Sequence, residues 1–366
     1  MIRILHVVSI LDVGGMESYI MNMYRRIDRT KVQFDFLVHH QRPGFFEDEI
    51  LALGGRIHRT TLMDDFNLPR YIRQLRVLFR EHPEYRIIHG HLTSPSFWYL
   101  GEAKRAGISW RIAHAHCPGH IPSLKGAIKH VLFQFAPIHA NIRLACSTEA
   151  GRYLYRNRSF ELIPNGIDVD KFRFSLESRN EIRSGLGLDG CFVIGHVGRF
   201  YYEKNHEYIL KIFARVHQQL PRARLLLLGE GKLKQEIEAK VREMKLDRAV
   251  IFAGLIQNCA PYYHAMDAFI MPSLYEGLPL TGLEAQCAGL PCLFSSTVST
   301  EVQVSQSVDF LPIGEENINL WVSRVLEAEQ NPSSRSIDLT RAEPFDCAIG
   351  TQKMVERYFT LWETEA

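Results

Sequence analysis

The chain has 366 residues, of which 46% are apolar and 23% charged, with a net charge of +2. That length and apolar share suit two domains with their own cores and exclude a disordered chain. No window of about 18 uncharged apolar residues occurs, so no membrane-spanning helix is expected.

The opening "MIRILHVVSI" is too short in its apolar run for a signal peptide and passes straight into Asp12 and two glycines. The seven cysteines are odd in number and include no C-x-x-C pair, as expected of thiols in a reducing, cytoplasmic setting. With no basic run interleaved with aromatic residues, nucleic-acid binding is not expected. The charge is nevertheless uneven, about +8 up to Asn165 and about −6 beyond it. A basic first half could meet an anionic membrane surface, at roughly 1 kcal/mol per basic group, or could simply be solvated.

In chain order, strand "IRILHVV" leads through the loop "SILDVGGMES" to a helix over "YIMNMYRRI". Strand "VQFDFLVHH", helix "GFFEDEILALG", strand "RIHRTT", helix "NLPRYIRQLRVLFREH" and strand "RIIHGHL" follow. A further helix precedes strand "RIAHAH", the segment "KGAIKHVLFQFAPIHANI", strand "RLACS" and the short helix "TEAGRYLY". Short Val/Ile/Leu runs alternating with helical periodicity indicate α/β architecture with buried parallel strands.

From Phe172 to Gly190 the chain is charged and poor in apolar runs, and "CFVIGHVGRF" then restarts the strand–loop–helix scheme. The second round runs through "NHEYILKIFARVHQQL", "ARLLLLGEG", "KLKQEIEAKVREM", "AVIFAG", "CAPYYHAM", "DAFIMPS", a helix after Pro279 and "PCLFSS". The expected division is 1–170, 171–345, and a C-terminal helix over 346–366 that packs back toward the first domain. Two Rossmann-like, doubly wound domains facing across a cleft would share one site at the carboxyl ends of their strands.

In "SLYEGLPLTGLEAQCAGLP", Glu276 and Glu284 flank the start of a helix, and Pro279 suits its first position. A helix start attracts anions, whereas the two carboxylates would repel a phosphate and instead suit hydroxyls. A ligand with hydroxyls on both sides of an anionic centre, such as a nucleoside diphosphate sugar, satisfies all three elements. Complementing the helix dipole explains the same spacing equally well. Arg199 and Lys204 stand in "HVGRFYYEKNHEY", between a strand and the next helix, where two cations suit a departing diphosphate.

Gly14 and Gly15 in "DVGGMES" permit close backbone approach after the first strand, or form a plain turn. Twelve of the sixteen histidines lie in the first domain, including "HGH" at 89 to 91 and "HAH" at 114 to 116. Alternate residues of a strand face one way, so each pair presents two imidazoles together. His114 and His116 suit hydrogen bonding to a sugar or work near the reacting hydroxyl, while core histidines are an equal alternative. No carboxylate or cysteine stands at a spacing that completes a zinc site, so no metal is expected. Asp168 and Asp170 in "IDVD" read as turn and linker residues.

Together "GGMES", "IAHAH", "PNGIDVDKF", "GRFYYEKN", "LLGEGKLK", "FAGL" and "EGLPLTGLEAQCAGLP" resemble the retaining glycosyltransferases of family 4, with the GT-B fold, in order along nearly the whole chain. The likeness is strongest to bacterial enzymes that build exopolysaccharide or capsule repeat units. It implies that Glu284 binds the ribose hydroxyls and that Glu276 contacts the transferred sugar. Gly277, Leu278, Pro279 and Leu280 would then offer backbone to sugar and phosphate, and Arg199 and Lys204 would hold the diphosphate. Gly14 and Gly15 would form the phosphate- and sugar-facing loop, His114 would stand beside the donor sugar, and Leu255 and Ile256 would lie along the base. His116 and His91 are candidates on the acceptor side. Thr281 and Gly282 depart from the bulkier apolar residues usual there, and Ser296 from a frequent aspartate.

The resemblance implies a metal-independent, retaining transfer, with no cofactor beyond a nucleotide diphosphate sugar, a UDP-sugar before others. The acceptor would be a saccharide, lipid-linked or growing, met at the inner face of the membrane. A sugar-nucleotide epimerase of the same fold, or a nucleotide-sugar-binding scaffold, would show many of the same residues.

Overall fold

The computed structural model describes residues 1–116, 136–331, 335 and 338–364. The chain divides into two compact units, one of residues 1–166 with 344–366 and the other of residues 167–343. The first is built on a seven-stranded sheet and the second on a six-stranded one, and every recorded strand pairing is parallel.

The first sheet has the order β3-β2-β1-β4-β5-β6-β7. Its strands are β1 (Ile2–Val7), β2 (Val32–Val38), β3 (Ile57–Arg59), β4 (Ile87–Gly90), β5 (Trp110–Ala115), β6 (Ile142–Ala145) and β7 (Glu161–Leu162). The intervening helices are α1 (Gly15–Arg26), α2 (Glu47–Ala52), α3 (Leu62–Asp65), α4 (Leu68–Glu81), α5 (Ser96–Arg105) and α6 (Thr148–Tyr155). Asn67 caps α4 by accepting from the Arg70 N–H at 3.0 Å, which fixes the start of that helix. Of the segment between β5 and β6, residues 117–135 lie outside the described residues, and Ala136–His139 forms one turn of 3-10 helix.

The second sheet has the order β10-β9-β8-β11-β12-β13. Its strands are β8 (Phe192–Val197), β9 (Ala223–Leu228), β10 (Val250–Gly254), β11 (Ala268–Met271), β12 (Cys292–Ser295) and β13 (Val308–Leu311). The helices are α7 (Leu176–Gly185), α8 (His206–Gln219), α9 (Lys234–Glu243), α10 (Ala260–Ala265), α11 (Leu280–Cys287) and α12 (Ile318–Gln330). The charged stretch after Phe172 thus contains a helix rather than a simple connection. α7 lacks a long apolar stripe because arginines anchor it: Arg179 and Arg183 both pair with Asp267, at 2.6 and 3.2 Å, and both bond carbonyls of 264–266.

In each sheet the strand order reverses direction at one point, between β1 and β4 in the first and between β8 and β11 in the second. Loops leaving the carboxyl ends of strands at such a point diverge and leave room for a ligand. The last helix, α13 (Cys347–Glu363), returns to the first unit, packs on α1 and β4, and places Met354, Tyr358 and Leu361 in that unit's core. Among the described residues no helix is long and apolar enough to cross a membrane.

Candidate functional site

At the switch point of the second sheet, the loops after β8, β9 and β11 are locked together by backbone. Gly229 has φ +136°, and a Cβ there would stand 2.1 Å from the Gly198 carbonyl oxygen, so only glycine fits. The Phe200 N–H donates to the Glu230 carbonyl at 3.0 Å, and the Leu274 N–H to the Glu203 carbonyl at 2.8 Å. Asn205, in the left-handed region at φ +55°, donates its side-chain amide to the Pro272 carbonyl at 3.1 Å.

This frame brings Lys204 onto Glu276. The ammonium lies 2.5 Å from Glu276 Oε1, and the Ser273 hydroxyl donates to the same oxygen at 2.8 Å. Both charged side chains are only 12 to 14% exposed, so the pair is poorly screened. Arg199 is exposed, with its guanidinium 5.1 Å from the centre of the Tyr201 ring, and it meets no carboxylate among the described residues.

Pro279 is the residue preceding α11, with φ −75° and ψ 103°, and the helix begins at Leu280. The expected proline at the first helical position therefore sits one residue earlier, because its extended ψ holds it outside the helix. The N–H groups of Gly277 and Leu278 meet no acceptor among the described residues. Glu284 lies in the second turn and accepts the Tyr263 hydroxyl at 2.8 Å. Burial pushes its carboxyl up to about 7, against the opposing pull of Tyr263 and Lys171.

The departure from a bulkier residue at Gly282 has a packing reason. A Cβ on Gly282 would come within 3.1 Å of Phe294 and 3.4 Å of Met271, so α11 rests directly on β11 and β12. Gln286, fully buried, donates to the Gly282 and Val302 carbonyls at 2.9 and 2.8 Å and accepts from the Val304 and Ser305 N–H groups at 2.8 and 3.0 Å. It ties segment 302–305 beneath the helix that carries Glu284.

The switch point of the first sheet holds imidazoles. His6 and His89 are in register on β1 and β4. His6 Nδ1 lies 3.0 Å from His91 Nε2, His91 Nδ1 2.8 Å from His116 Nε2, and His116 Nδ1 3.0 Å from Asn165 Oδ1. His89 Nε2 lies 3.2 Å from His114 Nδ1, and its Nδ1 2.6 Å from the Tyr358 hydroxyl. Burial lowers His6 to about 3 and His116 to about 4, and holds His89, His91 and His114 well below the usual imidazole range, so all five rings are neutral near pH 7.

Against known proteins, the profile of Glycosyltransferase Family 4 matches residues 13–171 and that of Glycosyl transferases group 1 matches residues 191–330. The glycosyltransferase-like protein EpsF of Bacillus subtilis (strain 168) is 32% identical over 335 residues, 89% of this chain and 87% of EpsF. The chain belongs to glycosyltransferase family 4. An Escherichia coli UDP-Gal:alpha-D-GlcNAc-diphosphoundecaprenol alpha-1,3-galactosyltransferase is 22% identical over 342 residues, 89% of this family 4 chain and 87% of that enzyme. Among solved structures, Anabaena Alr3699/HepE in complex with UDP-glucose aligns over 98% of this chain and 100% of its own, with a TM-score of 0.80 and 16% identity. That likeness, with the two parallel sheets, identifies the GT-B fold.

The second unit therefore joins Lys204 to Glu276 and places Glu284 on the same loop–helix element, with Gly277, Leu278, Pro279 and Leu280 between them. Leu255, 48% exposed, and Ile256 follow β10, where Ile256 accepts from the Cys259 thiol at 3.4 Å. In the first unit Gly14 has an extended backbone and precedes α1, whose first residue is Gly15. His91, His114 and His116, two pairs by sequence, form one cluster with His6 and His89. Sequence reasoning missed Tyr263, Ser273 and Gln286, which hold the glutamates or their helix, and only tertiary contact reveals them. Of the four arginines on α4, at 70, 73, 76 and 80, Arg70 pairs with Asp65 at 2.6 Å and Arg76 with the buried Glu102 at 2.8 Å, so those two cations are already matched within the unit.

Proposed function

We propose that this glycosyltransferase moves a sugar from a nucleotide diphosphate sugar, a UDP-sugar, to a hydroxyl of a lipid-linked or growing saccharide, with retention at the anomeric carbon. The observation that carries the reading is the Lys204–Glu276–Ser273 contact beside the unmatched N–H groups of Gly277 and Leu278. It sets a cation and amide donors next to a carboxylate within one small region. The diphosphate takes Lys204, Arg199 and the amides, and Glu276 turns to the hydroxyls of the transferred sugar. Glu284, held by Tyr263, takes the ribose hydroxyls.

Charge that develops on the departing diphosphate meets fixed cations and N–H dipoles, the kind of stabilisation that contributes most to such reactions. The UDP-Gal donor and undecaprenol-linked acceptor in the name of the E. coli relative, and the UDP-glucose bound to HepE, support a UDP-sugar donor and a lipid-linked acceptor. Work on exopolysaccharide or capsule, on the cytoplasmic side and against the membrane, follows from that acceptor.

A panel of UDP-, GDP- and ADP-sugars in a thermal-shift assay tests the donor. A UDP-sugar at about 100 times its dissociation constant adds roughly 2.7 kcal/mol of stability. Incubation of that donor with undecaprenyl-diphosphate saccharides should give an extended product whose anomeric configuration is read by NMR. An inverted product rules out retention, and a protein that no nucleotide sugar stabilises rules out the donor site.

A further inference from the structure

β7 is two residues long and pairs only with Leu144 and Ala145, so Ile142 and Arg143, which open β6, run on past it. That mismatch leaves a notch in the edge of the first sheet. Trp110 and Ile142 line it from the starts of β5 and β6, Phe160 from the turn before β7, and Lys353, Arg357 and Leu361 from one face of α13. The resulting groove has a volume of about 800 Å³, within the range of small-molecule sites. All its lining residues belong to the first unit. Trp110, Ile142 and Glu161 each begin a strand, so the groove lies toward the amino ends of the strands, whereas ligands at a switch point sit at the carboxyl ends.

The polar groups of the groove are unbalanced. Trp110 Nε1 and Arg143 Nε are buried and meet no partner. Arg143 and Lys353 form no ion pair and no side-chain hydrogen bond among the described residues. The two acids are occupied, since Glu161 pairs with Arg357 and Glu356 accepts the Gln352 amide at 2.9 Å. The unmet nitrogens are therefore all donors, and indole, guanidinium and ammonium groups cannot accept. Buried donors without partners are costly and rare in folded proteins, so an occupant of this groove has to bring acceptors.

We propose that the groove binds a phosphate ester with an apolar body, its head toward Arg143 and Lys353 and its body on Trp110, Phe160 and Leu361. Arg143 and Lys353 stand on different walls, β6 and α13. A phosphate, with three acceptor oxygens, reaches donors on both, and its charge strengthens each bond. The rings of Trp110 and Phe160, with Ile142, Ile163 and Leu361, supply apolar surface that a bare anion would leave uncovered.

The inference does not depend on the transfer reaction. The full chain is titrated by calorimetry with dodecyl phosphate below its micelle concentration, with and without saturating UDP. One dodecyl phosphate should bind per chain, equally well in both conditions, and inorganic phosphate at least about tenfold more weakly. Affinity should fall at least about tenfold in Arg143→Gln and in Lys353→Gln, each shown by circular dichroism to be folded, and stay unchanged in Arg248→Gln. Lys353 is exposed on α13, so its variant keeps the test open even where Arg143→Gln is unstable. Cosedimentation with phosphatidic acid vesicles that both variants lose identifies the ester as a membrane lipid, and dodecyl phosphate binding without cosedimentation identifies it as a soluble one. No saturable binding, displacement by UDP, equal affinity in wild type and both groove variants, or equal affinity for inorganic phosphate overturns the proposal.

Discussion

Glu284→Gln should stabilise the ligand-free protein at alkaline pH while it weakens donor binding. Burial raises the Glu284 carboxyl from its ordinary 4.5 to about 7, so above pH 7 the folded protein holds a carboxylate that it disfavours. At about 1.4 kcal/mol for each pH unit between those values, the cost is roughly 3 kcal/mol. The stability of the protonated form is fully present below pH 4.5, declines as pH rises from 4.5 to 7, and is gone above 7. A glutamine keeps the volume, can still accept from Tyr263, and carries no charge to desolvate. Urea unfolding at pH 8 should therefore show Glu284→Gln more stable than wild type by up to about 3 kcal/mol, with the two converging near pH 5. Calorimetry with a UDP-sugar at pH 8 should show the same variant binding more weakly, because a carboxylate accepts from two ribose hydroxyls and an amide oxygen does so less strongly. A variant less stable than wild type at pH 8 refutes the burial argument. A variant that binds donor as tightly as wild type refutes the ribose assignment.

Lys204→Ala and Arg199→Ala should each lower turnover about 10²- to 10³-fold without unfolding the chain, measured as product formed per minute at saturating donor. Gln286→Leu removes four buried hydrogen bonds and should cost about 4 kcal/mol, at about 1 kcal/mol for each bond, read from urea midpoints. Burial lowers His206 to about 2 and His196 to about 4, with Lys204 adding to both, so each neutral ring favours the fold above pH 6.5 and loses that contribution as pH falls. His206→Phe, with Phe200 stacked on the ring at 4.1 Å, should accordingly lose less stability than wild type between pH 6.5 and 4.5, as pH-dependent melts would show.

The strands were legible because parallel sheets bury both faces and write them as runs such as "CFVIGHV" and "ARLLLL". Ligands of parallel sheets bind beyond the carboxyl ends of the strands, which is why Arg199, Lys204, Glu276 and the two histidine pairs, all near the ends of such runs, were legible as candidates. β13 was not picked out, since "VDFL" has one acid in four residues and sits at a sheet edge. α7 was hidden for a related reason, as its anchors are arginines that find Asp267 about 85 positions away. The contact between Lys204 and Glu276 spans 72 positions, and the merging of the histidine pairs depends on strand order, so neither is written in local spacing.

Because α13 completes a unit whose other elements all precede residue 167, the chain's order of synthesis differs from its order of packing. A ribosome releases every strand of the first sheet, then all 177 residues of the second unit, before Met354, Tyr358 and Leu361 can reach their core. At about 5 to 20 residues per second the first sheet waits many seconds with the face of β1 and β4 uncovered. During that interval the second unit, continuous in sequence, can finish folding alone. The nascent first unit is then the species that a chaperone would hold, and a premature stop after residue 343 would release it still open.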